Sequence, residues 1–250
     1  MLIFIDRRRR QPLVFKQSFE SHRVIGRRND RDNEHDPVCT GIGNLTIELF
    51  STKQRILGAA EVLFAKHGFA GASLRQVTSA AQVNLAAVNY HFGSKENLIN
   101  EVFRRRLDGL NTDRLAALAQ ARAKQGYVLE DTLDAFVRPA LALTGSDHGG
   151  ASFVRVLARA YAEHNERLRK FLHDNYSHVL KEFVADFAHF LPHLDKQELY
   201  WRLDIVSGAL TYAMADFGVI KRRGLTEQQH RDLTARHLIR FAAAGLRAEG

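Results

Sequence analysis

From Ser51 onward, apolar residues recur every three or four positions, the period of a helix that buries one face. Ile56, Ala59, Ala60, Leu63 and Phe64 form the first stripe. Ser51, with Gln54 three residues on, makes a capping box at its start, and Gly68 is placed to stop it. A second helix opens at Ser73, again with a capping partner, Gln76, and turns Leu74, Val77 and Ala81 inward. Residues 80–83 turn the chain. A third short helix then opens at Asn84, with Val83 and Val88 spaced as a hydrophobic staple, and ends near Phe92 and Gly93. Ser94 caps a fourth helix, predicted from residue 95 to about 110, striped by Leu98, Ile99, Val102, Phe103, Leu107 and Leu110.

The remaining pattern stays helical. Residues 112–124 form an alanine-rich segment, and Gly126 interrupts it. Residues 129–143 read as a helix that Pro139 is placed to bend. A loop over 144–152 follows, then helices over 153–164, 168–190, 197–219 and 227–247, with a basic loop over 221–226. No strand alternation and no repeat occurs, so the class is all-α. The expected division is an arm over 1–46, a three-helix domain over 47–97, and a larger helical domain over 98–250.

Two short helices joined by a tight turn make the helix-turn-helix pattern, which lays the second helix in the major groove of DNA. The polar chemistry of the third helix suits that job. Asn84 and Asn89 can donate to and accept from base edges, and Leu85 and Ala86 can touch a thymine methyl. Ser73, Tyr90, His91 and Lys95 are candidates for the phosphates, which give affinity and register without sequence information, and Arg75 is a further DNA-binding candidate. The plainer alternative is a three-helix core with a solvated polar face.

Charge changes the picture by its distribution. The net charge is +8 and the pI about 9.8. Residues 51–110 hold 8 Lys and Arg against 4 Asp and Glu, so half the excess lies on this quarter of the chain, where it favours a polyanion. Arg104, Arg105 and Arg106 supply three of these charges and read as mostly a solvated helix face. Residues 1–46 mix RRRR and RRNDRDNEHD with scattered apolar residues at no regular period, and weak order is expected there. The arm either follows DNA into the minor groove or is a dispensable tail from a start site placed too far upstream.

Other classes find little support. The single cysteine, Cys39, allows no intramolecular disulfide. No apolar run approaches a membrane span, and MLIFI precedes RRRR, the reverse of a secretory signal. The protein is therefore read as cytoplasmic and nucleoid-associated. Pro192 separates His189 from His193, so no metal site is expected; nor is a cofactor. No Ser/His/Asp order, glycine-rich phosphate loop or convincing carboxylate pair points to an enzyme.

Thr52, Leu63-Phe64, Gly68-Phe69, Ser73 and the run Tyr90-His91-Phe92-Gly93-Ser94-Lys95-Glu96-Asn97-Leu98 together resemble the DNA-binding domain of TetR-type bacterial repressors. The likeness covers about fifty residues without a gap. It departs at Gln82, where that family has a turn glycine, at Ala86-Ala87, which replace a common glycine-threonine, and at Asn89, which replaces a tyrosine. Gln82 would cost stability if the turn needs positive φ. VNLAAVNYHFGSK is most similar to the PsrA-like branch, whose members respond to long-chain fatty acids.

The resemblance implies a homodimer paired through the two C-terminal helices, a palindromic double-stranded DNA operator, and a small hydrophobic effector, such as a long-chain fatty acid or its acyl-CoA. Small residues along the last two helices, including Ser207, Gly208 and Gly245, agree with close helix pairing. Candidate effector contacts in the aromatic-rich C-terminal half are Phe153, Arg155, Arg159, Phe183, Phe187 and Trp201. The fourth helix, which joins the two regions, is the expected lever. Two alternatives stay open: a regulator of efflux or stress genes that senses another hydrophobic compound, or a ligand-independent DNA-binding protein with a filled C-terminal core.

Overall fold

The computed structural model describes residues 51–145, 150–163, 165–215 and 224–249. The arm over 1–46 with Cys39, the middle of the loop over 144–152, and the segment 216–223 lie outside the described residues. So do the end of the helix predicted to 219 and most of the basic loop.

The described residues form helices and no strand: α1 (Thr52–Gly71), α2 (Leu74–Ala81), α3 (Leu85–Phe92), α4 (Lys95–Arg122), α5 (Leu129–Thr144), α6 (Gly150–Ala162), α7 (Glu166–Phe190), α8 (Lys196–Ala215) and α9 (Glu227–Arg247). The capping residues work as the pattern predicts. Ser51 accepts the Gln54 N–H at 3.3 Å and Ser73 the Gln76 N–H at 3.2 Å, while each glutamine side chain accepts its cap's own N–H. Asn84 Oδ1 accepts the Ala87 N–H at 2.8 Å, and Ser94 accepts that of Asn97 at 3.1 Å. Thr226 caps α9 in the same manner.

At Gly68, φ 73 and ψ 175 break the helical backbone where the sequence places a stop, and one further turn then runs to Gly71. Two expectations are corrected. The fourth helix does not stop near residue 110: α4 continues to Arg122 and absorbs the segment predicted separately over 112–124. Gly109, Asn111 and Thr112 look like a break by composition, but Leu110, Arg114, Leu118 and Ala121 carry the buried stripe across it. The loop predicted to residue 152 is shorter, because α6 already begins at Gly150.

α1, α2 and α3 fold over Ile56, Ala60, Phe64, Val77 and Val88, and α4 adds Leu98, Val102 and Phe103 to the same core. α5 is central to the larger part of the chain, packed on α4, α6, α7, α8 and α9. Phe136 on α5 meets Phe183 on α7 edge to face at 5.3 Å, and Arg114 lays its guanidinium 4.1 Å from the Phe136 ring centroid.

Two polar joints tie α1 to later helices. Glu61 on α1 takes Arg106 on α4 in a two-pronged pair, at 3.0 Å to Nε and 2.8 Å to Nη2, with both side chains buried. Arg106 is therefore not part of a solvated face, as the arginine run alone suggests; its neighbour Arg104 pairs with Glu101 at 2.6 Å. At the kink, the Glu163 carboxylate accepts the Phe69 N–H at 3.0 and 3.1 Å and the Ala70 N–H at 3.4 Å.

Candidate functional site

α3 is held by its inner side. Val88 and Phe92 are buried, Val83 is half-buried beside them, and Asn97 Nδ2 donates to the Phe92 carbonyl at 3.0 Å. This anchoring leaves the other side of the short helix in solvent: Leu85, Ala86, Asn89 and Tyr90 are exposed, Tyr90 to 86%.

The remaining members of the predicted set lie at the start of α2, at the start of α3 and at the α3–α4 corner. Ser73, Arg75 and Asn84 are exposed, while His91 and Lys95 are half-buried at the α3–α4 corner. The Tyr90 and His91 rings meet edge to face at 5.1 Å. Two of the polar groups already have structural work. The Asn84 Oδ1 is committed to its cap, which leaves the amide N–H groups for a base edge. The Ser73 hydroxyl is shared with Gln76, as acceptor at 3.2 Å and donor at 2.9 Å. From residue 73 to 95 there is no Asp or Glu, against Arg75 and Lys95, so this surface carries only positive formal charge.

The six predicted effector contacts do not come together. Phe153 is fully buried and lines a small cavity of about 60 Å³ between α4, α5, α6, α7 and α8. Phe183 and Phe187 are core residues, Phe183 edge to face with Phe136 and Phe187 beside Phe183, and neither lines that cavity. Arg155 and Arg159 face a separate cleft of about 770 Å³ bounded by α1, α5, α6, α8 and α9. Trp201 is 47% exposed on the outer side of α8. The inner cavity is nearly filled. Its polar fittings include Arg114, whose Nε donates to the Phe136 carbonyl at 3.0 Å, and Tyr176, whose hydroxyl donates to Asp108 at 2.7 Å. Burial and that bond to Asp108 push the Tyr176 hydroxyl above its usual range, so it stays a neutral donor.

Glu61, Arg106 and Glu163 were not legible as joints. Their partners lie far off in sequence, Glu163 being 94 residues from Phe69, and no local spacing marks such pairs.

Two family descriptions match this chain. Residues 56–102 fit the bacterial regulatory proteins of the tetR family, and residues 134–245 fit the tetracyclin repressor-like C-terminal domain. The probable HTH-type transcriptional regulator YttP of Bacillus subtilis is 39% identical over 57 residues, which are 21% of this chain and 28% of that protein. The HTH-type transcriptional repressor AcnR of Corynebacterium glutamicum is 42% identical over 48 residues, 19% of this chain and 26% of its own length. The chain thus spans about a quarter of the length of these curated relatives.

Solved structures extend the likeness at the level of fold. The fatty acid degradation regulator FadR of Bacillus halodurans superposes with a TM-score of 0.55 at 18% identity, over 80% of this chain and 98% of that one. A TetR-like regulator from Rhodococcus sp. RHA1 gives 0.52 at 20%, over 79% and 97%. Matching both the helix-turn-helix segment and the C-terminal domain, with the helical fold to go with them, the chain belongs to the TetR family.

Proposed function

We propose that the protein is a homodimeric, sequence-specific transcriptional regulator, a repressor that a small apolar effector releases from its operator. The observation that carries this reading is the α3 face: Leu85, Ala86, Asn89 and Tyr90 stand open on a helix anchored from behind, in a stretch, 73–95, that contains no Asp or Glu. Asn89 reads a base edge, Leu85 and Ala86 meet thymine methyls, and Arg75, His91 and Lys95 hold phosphates.

One helix of eight residues offers few base contacts, so pairing is part of the reading. Trp201, Ile205 and Tyr212 on α8 and Phe241 on α9 are exposed apolar residues. Gly208 and Gly245 on the same two helices would meet nothing if given a side chain, which leaves room for a second copy. A twofold pair places its reading helices about 34–36 Å apart, one turn of DNA.

The effector class we propose is a long-chain fatty acid or its CoA ester. The likeness of VNLAAVNYHFGSK to the PsrA-like branch favours it. A further fold neighbour, FadR of Bacillus subtilis, was solved with stearoyl-CoA; it has 13% identity and a TM-score of 0.53 over 76% of this chain and 97% of that one. An inner cavity of about 60 Å³ is far below the roughly 300–1,000 Å³ of ligand sites, so a long chain needs the core to open or another place to lie.

The test is fluorescence anisotropy of the full chain on labelled DNA from upstream of its own gene and on random DNA. Lys95→Ala is expected to weaken both and to flatten the salt slope by about one unit. Asn89→Ala is expected to cost about 1–3 kcal/mol on the specific site alone. Equal losses for both variants on both DNAs would refute these roles.

A further inference from the structure

Resting on the effector reading above, we infer that the cleft between α6 and α9 holds the charged end of an amphipathic anion, a carboxylate or phosphate on an apolar tail, and that its occupation acts directly on α1. At about 770 Å³ the cleft has the size of a ligand site, which the inner cavity lacks. Its walls are of two kinds. Ala65, Leu141, Val154, Ala158 and Met214 supply apolar surface.

Arg155 and Arg159 supply the charge. They lie four residues apart, on one face of α6, and both are exposed. Arg155 donates only to the Ala151 carbonyl at 3.3 Å, and Arg159 only to the Lys66 carbonyl at 3.5 Å; neither has a carboxylate partner among the described residues. The acid in the cleft, Glu227, is already answered by Arg231 at 3.6 Å. Two uncompensated guanidiniums over an apolar floor select an anion that carries a tail. Met214 lines both the cleft and the inner cavity, so a flexible thioether is the wall between them, and a tail that displaces it reaches the core.

The route to DNA is short. Ala65 belongs to α1, so the ligand touches the DNA-binding part itself. An anion that draws Arg159 away also takes its hydrogen bond from Lys66, next to Ala65. Glu163, one helical turn beyond Arg159, holds the amides of Phe69 and Ala70. Shifting α6 therefore shifts the end of α1 that leads into α2.

Isothermal titration of the full chain tests this with oleate, oleoyl-CoA, neutral oleyl alcohol and tail-less inorganic phosphate, all below micelle concentrations. Wild type is expected to bind one or both amphipathic anions, and which of the two it takes identifies the carboxylate or the phosphate as the recognised group. The Arg155→Ala/Arg159→Ala double variant should lose about tenfold in that affinity, with the alcohol changed less than about threefold. Because both arginines are exposed, its melting curve should match wild type. In hydrogen exchange, the bound anion should speed the Phe69 and Ala70 amides in wild type. Equal anion affinity in wild type and double variant overturns the site, as does tight binding of the alcohol alone. No binding at all overturns both the site and the lipid effector, whereas operator binding in the anisotropy assay stands or falls separately.

Discussion

Gln82 sits in the turn between α2 and α3 at φ 53 and ψ 51, the one positive-φ residue other than glycine among those described. A side chain in this left-handed region costs about 1–2 kcal/mol, and glycine there gives back about 0.5–1 kcal/mol in chain entropy. Gln82→Gly is therefore expected to stabilise the protein by about 0.5–1 kcal/mol, read as a higher urea midpoint at unchanged slope. At this scale the sequence is highly legible. Ser51, Ser73, Asn84 and Ser94 all cap the helices that their spacing announces, because a cap and its partner lie within three residues. That Ser73 and Asn84 spend part of their hydrogen bonding on caps, alongside the DNA contacts proposed for them, is not legible, since a residue type does not say which of its atoms are already taken.

Helices were readable in kind but not in number or extent. Gly109, Asn111 and Thr112 are poor helix formers side by side, yet α4 runs through them because its buried stripe continues on both sides. Its length lets α4 span from the DNA-binding helices to α5 and α7, and Glu61 with Arg106 fastens the near half of it to α1. A buried pair broken on one side leaves an uncompensated charge. Glu61→Ala is expected to cost about 3–5 kcal/mol in chemical unfolding, and Glu61→Leu/Arg106→Leu to recover most of that loss. A double variant as unstable as the single one would mean that the loss comes from cavity formation rather than from the broken ion pair.

For the whole molecule, the exposed apolar residues of α8 and α9 make the strongest prediction. Trp201, Ile205 and Tyr212 recur on one side of α8, and Phe241 is 70% exposed on α9. Trp201→Glu/Phe241→Glu is expected to give a monomer in sedimentation velocity, with the helical signal kept and operator affinity lowered by about a hundredfold or more. A variant that sediments with wild type places the pairing surface elsewhere. The effector contacts were the least legible part. An aromatic at helical spacing looks the same whether it fills a core, as Phe183 and Phe187 do, lines a hollow, as Phe153 does, or faces a partner, as proposed for Trp201. Those differences arise only when distant helices meet.

Gly68 carries two demands at once. Its backbone stands at φ 73, and a Cβ on it would collide with the Glu163 carboxylate. A substitution there faces a torsional penalty and a steric one that arise from different sources. Shortening residue 163 could relieve the collision, but it would leave the torsion untouched and give up the hold on Phe69 and Ala70. A change at residue 163 alone therefore does not restore the position, and in a mutational scan glycine should be the favoured residue there, with any suppressors found away from residue 163.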